Sequence, residues 1–151
     1  MKRGFSIILA LLLTALLLIL GVAFLSKQSH RYRLARLAAD SVTAKGLALA
    51  GIETSRVKLQ HDLLFPPPDY RYHDEYSYEE PVHEIGTSQE VGSYEVTIDR
   101  RWMEKPYEII ILTSVGHPRN SHASYRIRVE LDVGEGRPTY YEFIRWEENA
   151  N

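Results

Sequence analysis

After Lys2 and Arg3, the chain runs from Phe5 to Leu25 as 21 residues without a charged side chain. As an α-helix this run is about 31 Å long, which matches the hydrocarbon core of a bilayer. A cleavable secretory signal has the same order of charge and apolar residues, but its apolar region is usually about 7 to 15 residues and ends in a small-x-small motif. The sequence GVAFLSKQ fits such a motif poorly. A transmembrane helix is therefore predicted for residues 5–25.

The rest of the chain has the length of one small domain and is too short for two ordinary hydrophobic cores. Two of the 18 basic side chains are Lys2 and Arg3, so the remainder has 16 basic against 20 acidic side chains. This balance does not favour a nucleic-acid-binding protein. The chain has no cysteine, which excludes disulfides, a cysteine nucleophile, a thiolate metal site and a lipidated-cysteine anchor.

Residues 26–53 are predicted to continue the same helix, because they contain no proline and many good helix formers. This half of the helix is expected to be amphipathic, with one stripe that packs on a domain. Gly51 is a plausible end of the helix. The apolar side chains with near-helical spacing are Leu34, Leu37, Ala38, Val42, Leu49 and Ile52.

Residues 54–151 are predicted to form a small antiparallel sheet domain that carries a tyrosine-rich surface loop at 66–90. Three consecutive prolines at 66–68 are incompatible with a helix interior. The tyrosines are expected to cover an edge of the sheet. The alternative is a surface that contacts a partner, because tyrosine supplies contact area at low entropic cost. They are Tyr70, Tyr72, Tyr76 and Tyr78.

Four strands are predicted within residues 93–100, 107–116, 124–133 and 139–148, joined into an antiparallel meander by turn-rich sequences such as GEGRP. The third strand places two sets of side chains on opposite faces. The set expected to face the helix is Tyr125, Ile127, Val129, Leu131 and Val133. The set expected to face solvent is Arg126, Arg128, Glu130 and Asp132. The predicted fold class is α+β, a long N-terminal helix packed on a small antiparallel sheet.

Side chains that could support catalysis or metal binding form no recognisable motif. The pairs His61-Asp62, His73-Asp74 and His83-Glu84 are adjacent in sequence, which does not build a metal-ligand spacing. Ser121 beside His122 lacks a nucleophile-elbow pattern, and GEGRP lacks the spacing of a phosphate-binding loop. No catalytic residue, cofactor, metal ligand or small-molecule substrate is therefore predicted.

The order of these segments resembles that of type IV pilins and pseudopilins. The start KRGFSIILALLLTALLLILGVAFLS is similar to the N-terminus of that family. In the family, a short basic leader ends in glycine and the mature chain begins with phenylalanine. The sequence AKGLALAGIE resembles the Ala-rich helix end of minor pilins and tip pseudopilins. The sequences GSYEVTI, YEIIILTSVG and YRIRVEL are similar to the sheet of that branch. The resemblance covers nearly the whole chain except the tyrosine-rich segment and the last strand.

The resemblance implies that residues 1–4 are a leader, that a prepilin peptidase cuts after Gly4, and that Phe5 becomes the new, often N-methylated, N-terminus. Most of the family has glutamate as the fifth mature residue, where this chain has Leu9. The pseudopilin at the tip of the type II secretion filament typically lacks that glutamate, so a tip position is implied. A degenerate relative that stays in the membrane is the alternative. The side chains implied to pack against other pilin-like subunits are Ile7, Ile8, Leu9 and Leu12.

The resemblance thus implies a structural subunit of a type IV pilus or a type II secretion-type filament, and not an enzyme. It would be held in the bacterial inner membrane by a single span, with the C-terminal domain outside the cytoplasm. The positive-inside rule alone favours the opposite orientation, because more cations follow the span than precede it. The alternative function is a single-span sensor or scaffold whose extracytoplasmic domain binds a partner. A third hypothesis is a bitopic enzyme that uses the loop histidines.

Overall fold

The computed structural model describes the backbone of residues 2–65 and 74–150 and the side chains of residues 7–65 and 74–149. In these ranges the five strands form one antiparallel sheet in the order β1-β2-β3-β4-β5. The predicted α+β class is confirmed. The chain divides into two compact units after Ala38. The elements are α1 (Lys2–His61), β1 (Glu75–His83), β2 (Glu90–Asp99), β3 (Ile109–Pro118), β4 (Tyr125–Asp132) and β5 (Phe143–Ala150).

The first unit consists of the N-terminal part of α1. Every side chain from Ile7 to Ala38 is exposed. An apolar window in this part has a mean hydropathy of 3.1, and none of it is buried. By its length and composition this helix is able to cross a membrane.

In the second unit, α1 packs on the sheet through a stripe of mostly small side chains. The stripe recurs every three or four residues, which places its members on one face of the helix. Four residues that the sequence placed in the packing stripe are instead exposed, namely Leu34, Leu37, Ala38 and Val42. The expected stripe was therefore wrong in its first half, because it followed large apolar residues and the buried positions are mostly small. The buried residues are Ala44, Leu47, Ala48, Gly51, Ile52, Ser55 and Leu59.

Glycines bring the backbone of α1 close to β3. A Cβ atom on Gly116 would lie 2.1 Å from the carbonyl oxygen of Ala44 and 2.7 Å from the amide nitrogen of Ala48. A Cβ atom on Gly51 would lie 2.3 Å from Oγ of Ser114. Gly51 therefore does not end the helix, as the sequence suggested, since α1 continues to His61. The absence of a Cβ at Gly51 serves the close approach and not a left-handed helix terminus.

The central strands bury one face under α1. Within β2 and β4 the buried side chains alternate as predicted, as Val96 and Ile98 show in β2 and Ile127 and Val129 in β4. Arg126 and Arg128 are exposed on the opposite face. This arrangement confirms the predicted one-sided sheet.

Asp132 departs from that pattern, because it is only 2% exposed although it was expected to face solvent. Its carboxylate accepts hydrogen bonds from the Thr139 hydroxyl, from the backbone amide of Gly134 and from Arg137. The pairing register of β4 with β5 also shifts between Glu130 and Leu131. The segment between β4 and β5 therefore covers Asp132 and satisfies its charge.

Residues 75–83 form a fifth strand, β1, so the loop predicted at 66–90 is wrong over this part. β1 pairs with β2 from Glu75 opposite Asp99 to Val82 opposite Gly92. Every second residue of β1 is partly buried and the others are exposed, as expected for a strand with one covered face. Residues 66–73, which include Tyr70 and Tyr72, lie outside the described residues.

Candidate functional site

Of the histidine and serine candidates, only His73 lies outside the described residues. Among the described residues, no group of three or more His, Asp or Glu side chains could hold a metal ion. The Ser121 hydroxyl donates a hydrogen bond to Oδ2 of Asp40 at 2.8 Å and accepts one from the amide of Ala123. Ser121 therefore ties the β3–β4 connection to α1 rather than to His122.

Gly4 and Phe5, the predicted processing residues, lie inside α1. The predicted filament-contact side chains Ile7, Ile8, Leu9 and Leu12 are each about 60% exposed. Exposed leucine and isoleucine side chains in such density need an apolar environment, either lipid or other helices. This part of the helix is therefore suited to a membrane or to a helical assembly, and the processing and packing roles stay predictions.

Tyr76 and Tyr78 come together on the covered face of β1, where their rings stack at 6.1 Å between centroids. Phe65 meets both rings edge-on, at 6.5 Å and 5.7 Å. The Tyr78 hydroxyl lies 2.9 Å from Oγ of the buried Ser55, and Lys58 Nζ lies 4.2 Å from the Tyr78 ring centroid. Burial raises the pKa of Tyr78. Tyr78 thus joins β1 to α1, and a partner role for the tyrosines stays a prediction.

An ion pair between Lys58 of α1 and Glu80 of β1 extends this junction. The Tyr94 hydroxyl also donates a hydrogen bond to the Glu80 carboxylate. Burial opposes ionisation of Glu80, but the hydrogen bonds from Lys58 and Tyr94 outweigh it, so the pKa of Glu80 is lowered. Burial, together with the bond to Glu80, raises the pKa of Tyr94 to about 12. A carboxylate on the covered face of β1 is therefore stabilised as an ion.

A second group, the Glu148 cluster, consists of Lys45, Tyr125, Trp146 and Glu148 and links α1 to β4 and β5. The Glu148 carboxylate accepts hydrogen bonds from Lys45 Nζ, from the Tyr125 hydroxyl at 2.6 Å and from the Trp146 indole at 2.8 Å. These three donors, Lys45 foremost, lower the pKa of Glu148 to about 2. Polar contacts therefore fasten α1 to both edges of the sheet.

Arg100, the first residue after β2, is buried, and its guanidinium nitrogens have no hydrogen-bond partner among the described residues. Burial lowers the pKa of Arg100, and the charge of Asp62 opposes that shift. Asp62 follows the C-terminal end of α1, where the helix dipole also favours a cation. Sequence reasoning missed this residue, since nothing in the local pattern distinguishes it from an exposed arginine.

The face of the sheet away from α1 carries an exposed aromatic cleft, the Trp102 cleft, with a volume of about 260 Å³. The rings of Trp102 and Tyr107 meet edge-on at 5.0 Å and are both about half exposed. Arg137 donates a hydrogen bond to the Glu108 carboxylate at 2.7 Å and holds the β2–β3 connection that bears these rings. The sequence WMEKPY between two predicted strands could have indicated this surface. The cleft is lined by Trp102, Tyr107, Ile109, Ile111, Arg128 and Glu130.

The chain matches no known family model, no curated protein and no solved structure. The features that bear on its function are therefore those seen in its own sequence and structure. They are an exposed apolar half-helix, a second half-helix packed on a meander through small residues, and the Trp102 cleft on the opposite face of the sheet.

Proposed function

We propose that this chain is a pilin-like or pseudopilin-like structural subunit, held in the bacterial inner membrane by residues 5–25. The observation that supports the proposal is the difference in side-chain exposure between the two parts of α1. From Ile7 to Leu25 the helix exposes only apolar side chains apart from Thr14, while its C-terminal part packs on a five-stranded antiparallel meander. A helix of this kind can exchange lipid for the apolar sides of like helices without any change in the sheet domain.

The helix–sheet interface adds support, because it is built from the residues on which the resemblance rests. The Ala-rich sequence AKGLALAGIE contains Ala44, Ala48 and Gly51, and the Ser-x-Gly end of YEIIILTSVG contains Ser114 and Gly116. These residues allow the backbones of α1 and β3 to come into contact. The two sequence motifs therefore have one shared physical cause, the close approach of a helix to a strand.

The proposed mechanism is assembly and not catalysis. Membrane insertion holds the subunit, removal of residues 1–4 frees Phe5, and extraction into a filament replaces lipid contacts by helix–helix contacts along residues 7–25. Leu9 has no charge to neutralise the amine of a subunit above it, and an unpaired carboxylate in lipid would be costly. A tip position, with no later subunit above, is consistent with that side chain.

Processing tests the proposal directly. Co-expression with a prepilin peptidase should remove the first four residues, as seen by intact-mass measurement, and Gly4→Val should prevent the cut. Gly21→Val, in the same apolar run with open space around it, is the matched control and should be processed normally. An intact Met1 on the protein from its native host would count against the proposal.

Orientation is a separate test. With the domain outside the cytoplasm, protease added to intact spheroplasts should degrade the chain beyond about Lys27, and a C-terminal alkaline phosphatase fusion should be active. Protection until lysis would place the domain in the cytoplasm and rule out the filament role.

The tip assignment is tested by copy number and by Leu9→Glu. Quantitative mass spectrometry of sheared filaments should find few copies of the chain, and Leu9→Glu should not increase its incorporation. Abundance equal to that of the main subunit would overturn the tip position and leave the subunit role intact.

The Trp102 cleft favours a second candidate, a single-span sensor or scaffold whose domain binds a partner. Exposed tryptophan and tyrosine are enriched in recognition surfaces. For this function, Trp102→Ala should abolish cross-linking to the partner in membranes, while Arg126→Ala, on the same face but outside the cleft, should not. If Trp102→Ala loses the cross-link and the wild-type chain keeps residues 1–4, this candidate is favoured over the filament subunit.

A further inference from the structure

A basic segment, residues 26–36, follows the apolar span on α1. It contains Lys27, Arg31, Arg33 and Arg36, all exposed. In the described parts of the chain, none of these four side chains is in an ion pair. The first acidic residue of the whole sequence is Asp40. The segment is therefore a concentration of positive charge that its own chain does not neutralise.

The segment has the position and direction to reach lipid headgroups. At the helical rise, Lys27 lies about 3 Å beyond Leu25 along the axis, and Arg36 lies about 16 Å beyond it. Side chains on a helix tilt toward its N-terminus, which here is the direction of the apolar span. Each headgroup layer of a bilayer is about 5 to 7 Å thick, and charge interactions extend about 8 to 10 Å farther at physiological salt. All four cations thus lie within the range of headgroup phosphates.

The cations surround the helix instead of forming one face. At about 100° per residue, Arg31 lies about 40° from Lys27, while Arg36 and Arg33 lie about 180° and 240° from it. A protein that docks on one side of the helix would meet only part of this charge, whereas headgroups surround a spanning helix completely. Hydroxyl donors reinforce the choice, because Ser26 and Ser29 line a polar cleft with His30 and Arg33.

We propose that residues 26–36 bind the phosphate headgroups of anionic phospholipids on the side of the membrane where α1 emerges. The inference rests on the membrane anchoring within the proposed function and does not depend on filament assembly. Such binding would surround the chain with a ring of lipid enriched in anionic headgroups. It would weaken as ionic strength rises, because the Debye length falls to about 3 Å at 1 M salt.

The test uses the full-length chain in bilayers of phosphatidylcholine with a minor share of phosphatidylglycerol. After gentle solubilisation, mass spectrometry measures the ratio of the two lipids retained by the protein. Wild type should be enriched in phosphatidylglycerol about two- to fivefold over the bilayer, and less so after high-salt washing. The quadruple variant Lys27→Gln, Arg31→Gln, Arg33→Gln and Arg36→Gln should return to the bulk ratio.

The matched control is Lys105→Gln, Arg119→Gln, Arg126→Gln and Arg145→Gln, which removes one lysine and three arginines from exposed positions of the sheet domain. This variant should keep the wild-type enrichment. A wild-type ratio equal to the bulk, or equal loss in both variants, would overturn the inference. So would a basic segment that cross-links to an acidic protein and retains no anionic lipid.

Carbonate extraction separates this inference from the proposed function. A chain that carbonate releases from the bilayer is not anchored, and both proposals then fail. A chain that resists extraction but shows no lipid enrichment contradicts only the lipid inference and leaves the anchored subunit standing.

Discussion

The helix α1 contains two ranges that differ in exposure and in side-chain size, residues 7–25 and residues 44–59. The first range is mostly leucine and isoleucine, and these side chains point outward. The second buries Ala44, Ala48 and Gly51 against the sheet. Lipid is fluid and fills the gaps around large side chains, whereas a sheet is rigid and two backbones approach only where side chains are small.

The size of the side chains in each range therefore suits a different kind of partner. The hydroxyl of Ser114 is buried beside Gly51 and has no hydrogen-bond partner in the part of the chain that the structure describes. The Ser114 side chain occupies the space that a Cβ atom of Gly51 would need, so the two small residues accommodate each other. Small residues on α1 and β3 permit the close contact, while Leu47, Ile52 and Leu59 supply buried apolar area.

The largest effect is expected from Gly116→Val. Valine suits a strand, but its Cβ would lie 2.1 Å from a backbone oxygen of α1, which cannot move aside as a flexible side chain can. We expect a loss of about 3 kcal/mol in the free energy of unfolding. Denaturant titration of the detergent-solubilised chain, followed by the fluorescence of Trp102 and Trp146, measures it. Thr113→Val, which faces the other side of β3, is the control, and an equal response would mean that the close approach is unimportant.

A similar cost, in a different environment, is expected from Leu17→Arg. An arginine at the centre of a membrane-spanning helix is unfavourable by about 2.5 to 3.5 kcal/mol on insertion scales. Carbonate should extract a larger fraction of the variant than of the wild type, while the fluorescence transition of the sheet domain stays at the wild-type denaturant concentration. Leu34→Arg, beyond the apolar run and exposed, should remain membrane-bound. An extracted fraction of Leu17→Arg no larger than that of Leu34→Arg would count against residues 5–25 as the anchor.

Two helix glycines sharpen the comparison at smaller scale. Gly→Ala in a helix interior stabilises by about 0.5 to 1 kcal/mol when nothing lies near the new methyl group. Gly46 has open space around it, and Gly51 does not. Gly46→Ala should therefore raise the unfolding midpoint and Gly51→Ala should lower it. Stabilisation by both would show that Gly51 leaves room for a methyl group.

The smallest effect is a pH dependence confined to the packed half. The pKa of Glu148 is about 2 in the folded chain, against an ordinary value of 4.5. The Glu148 cluster therefore contributes stability above about pH 4.5 and loses it as the pH falls toward 2. In that window, Glu148→Gln should flatten the decline of the unfolding midpoint. Membrane retention should not change there, since residues 7–38 contain no acidic side chain. An unchanged acid profile in Glu148→Gln would exclude the cluster as its source.

The sequence predicted the parts of the fold that depend on local periodicity. The strands β2 to β5 follow from apolar or alternating runs between turn-rich sequences, although β5 begins at Phe143 and not at residue 139. The inward set at Val96, Ile98, Ile127 and Val129 follows from alternation. β1 was missed because its covered face includes the carboxylate of Glu80, which reads as an exposed loop residue. Only the folded chain brings Lys58 and Tyr94 to that carboxylate.

The same reason explains the other misses. The sequence suggests a helix end at Gly51, but the reason for this glycine is its close contact with Ser114, which is distant in sequence. The Trp102 cleft needs β3 and β4 side by side before Ile111 and Arg128 line one surface. The periodicity of apolar residues predicts which side chains of an element face the core. It does not predict which residue of a distant segment each side chain contacts.

The meander has a consequence for the order in which the chain folds during synthesis. Each strand pairs with the strand made just before it, so the sheet grows one strand at a time from short-range contacts, which favours rapid folding. The bond from Lys45 to Glu148 instead joins residues 103 positions apart. It can form only after Glu148 has left the ribosome. A residue of β5 thus completes the docking of a helix that is synthesised before the whole sheet.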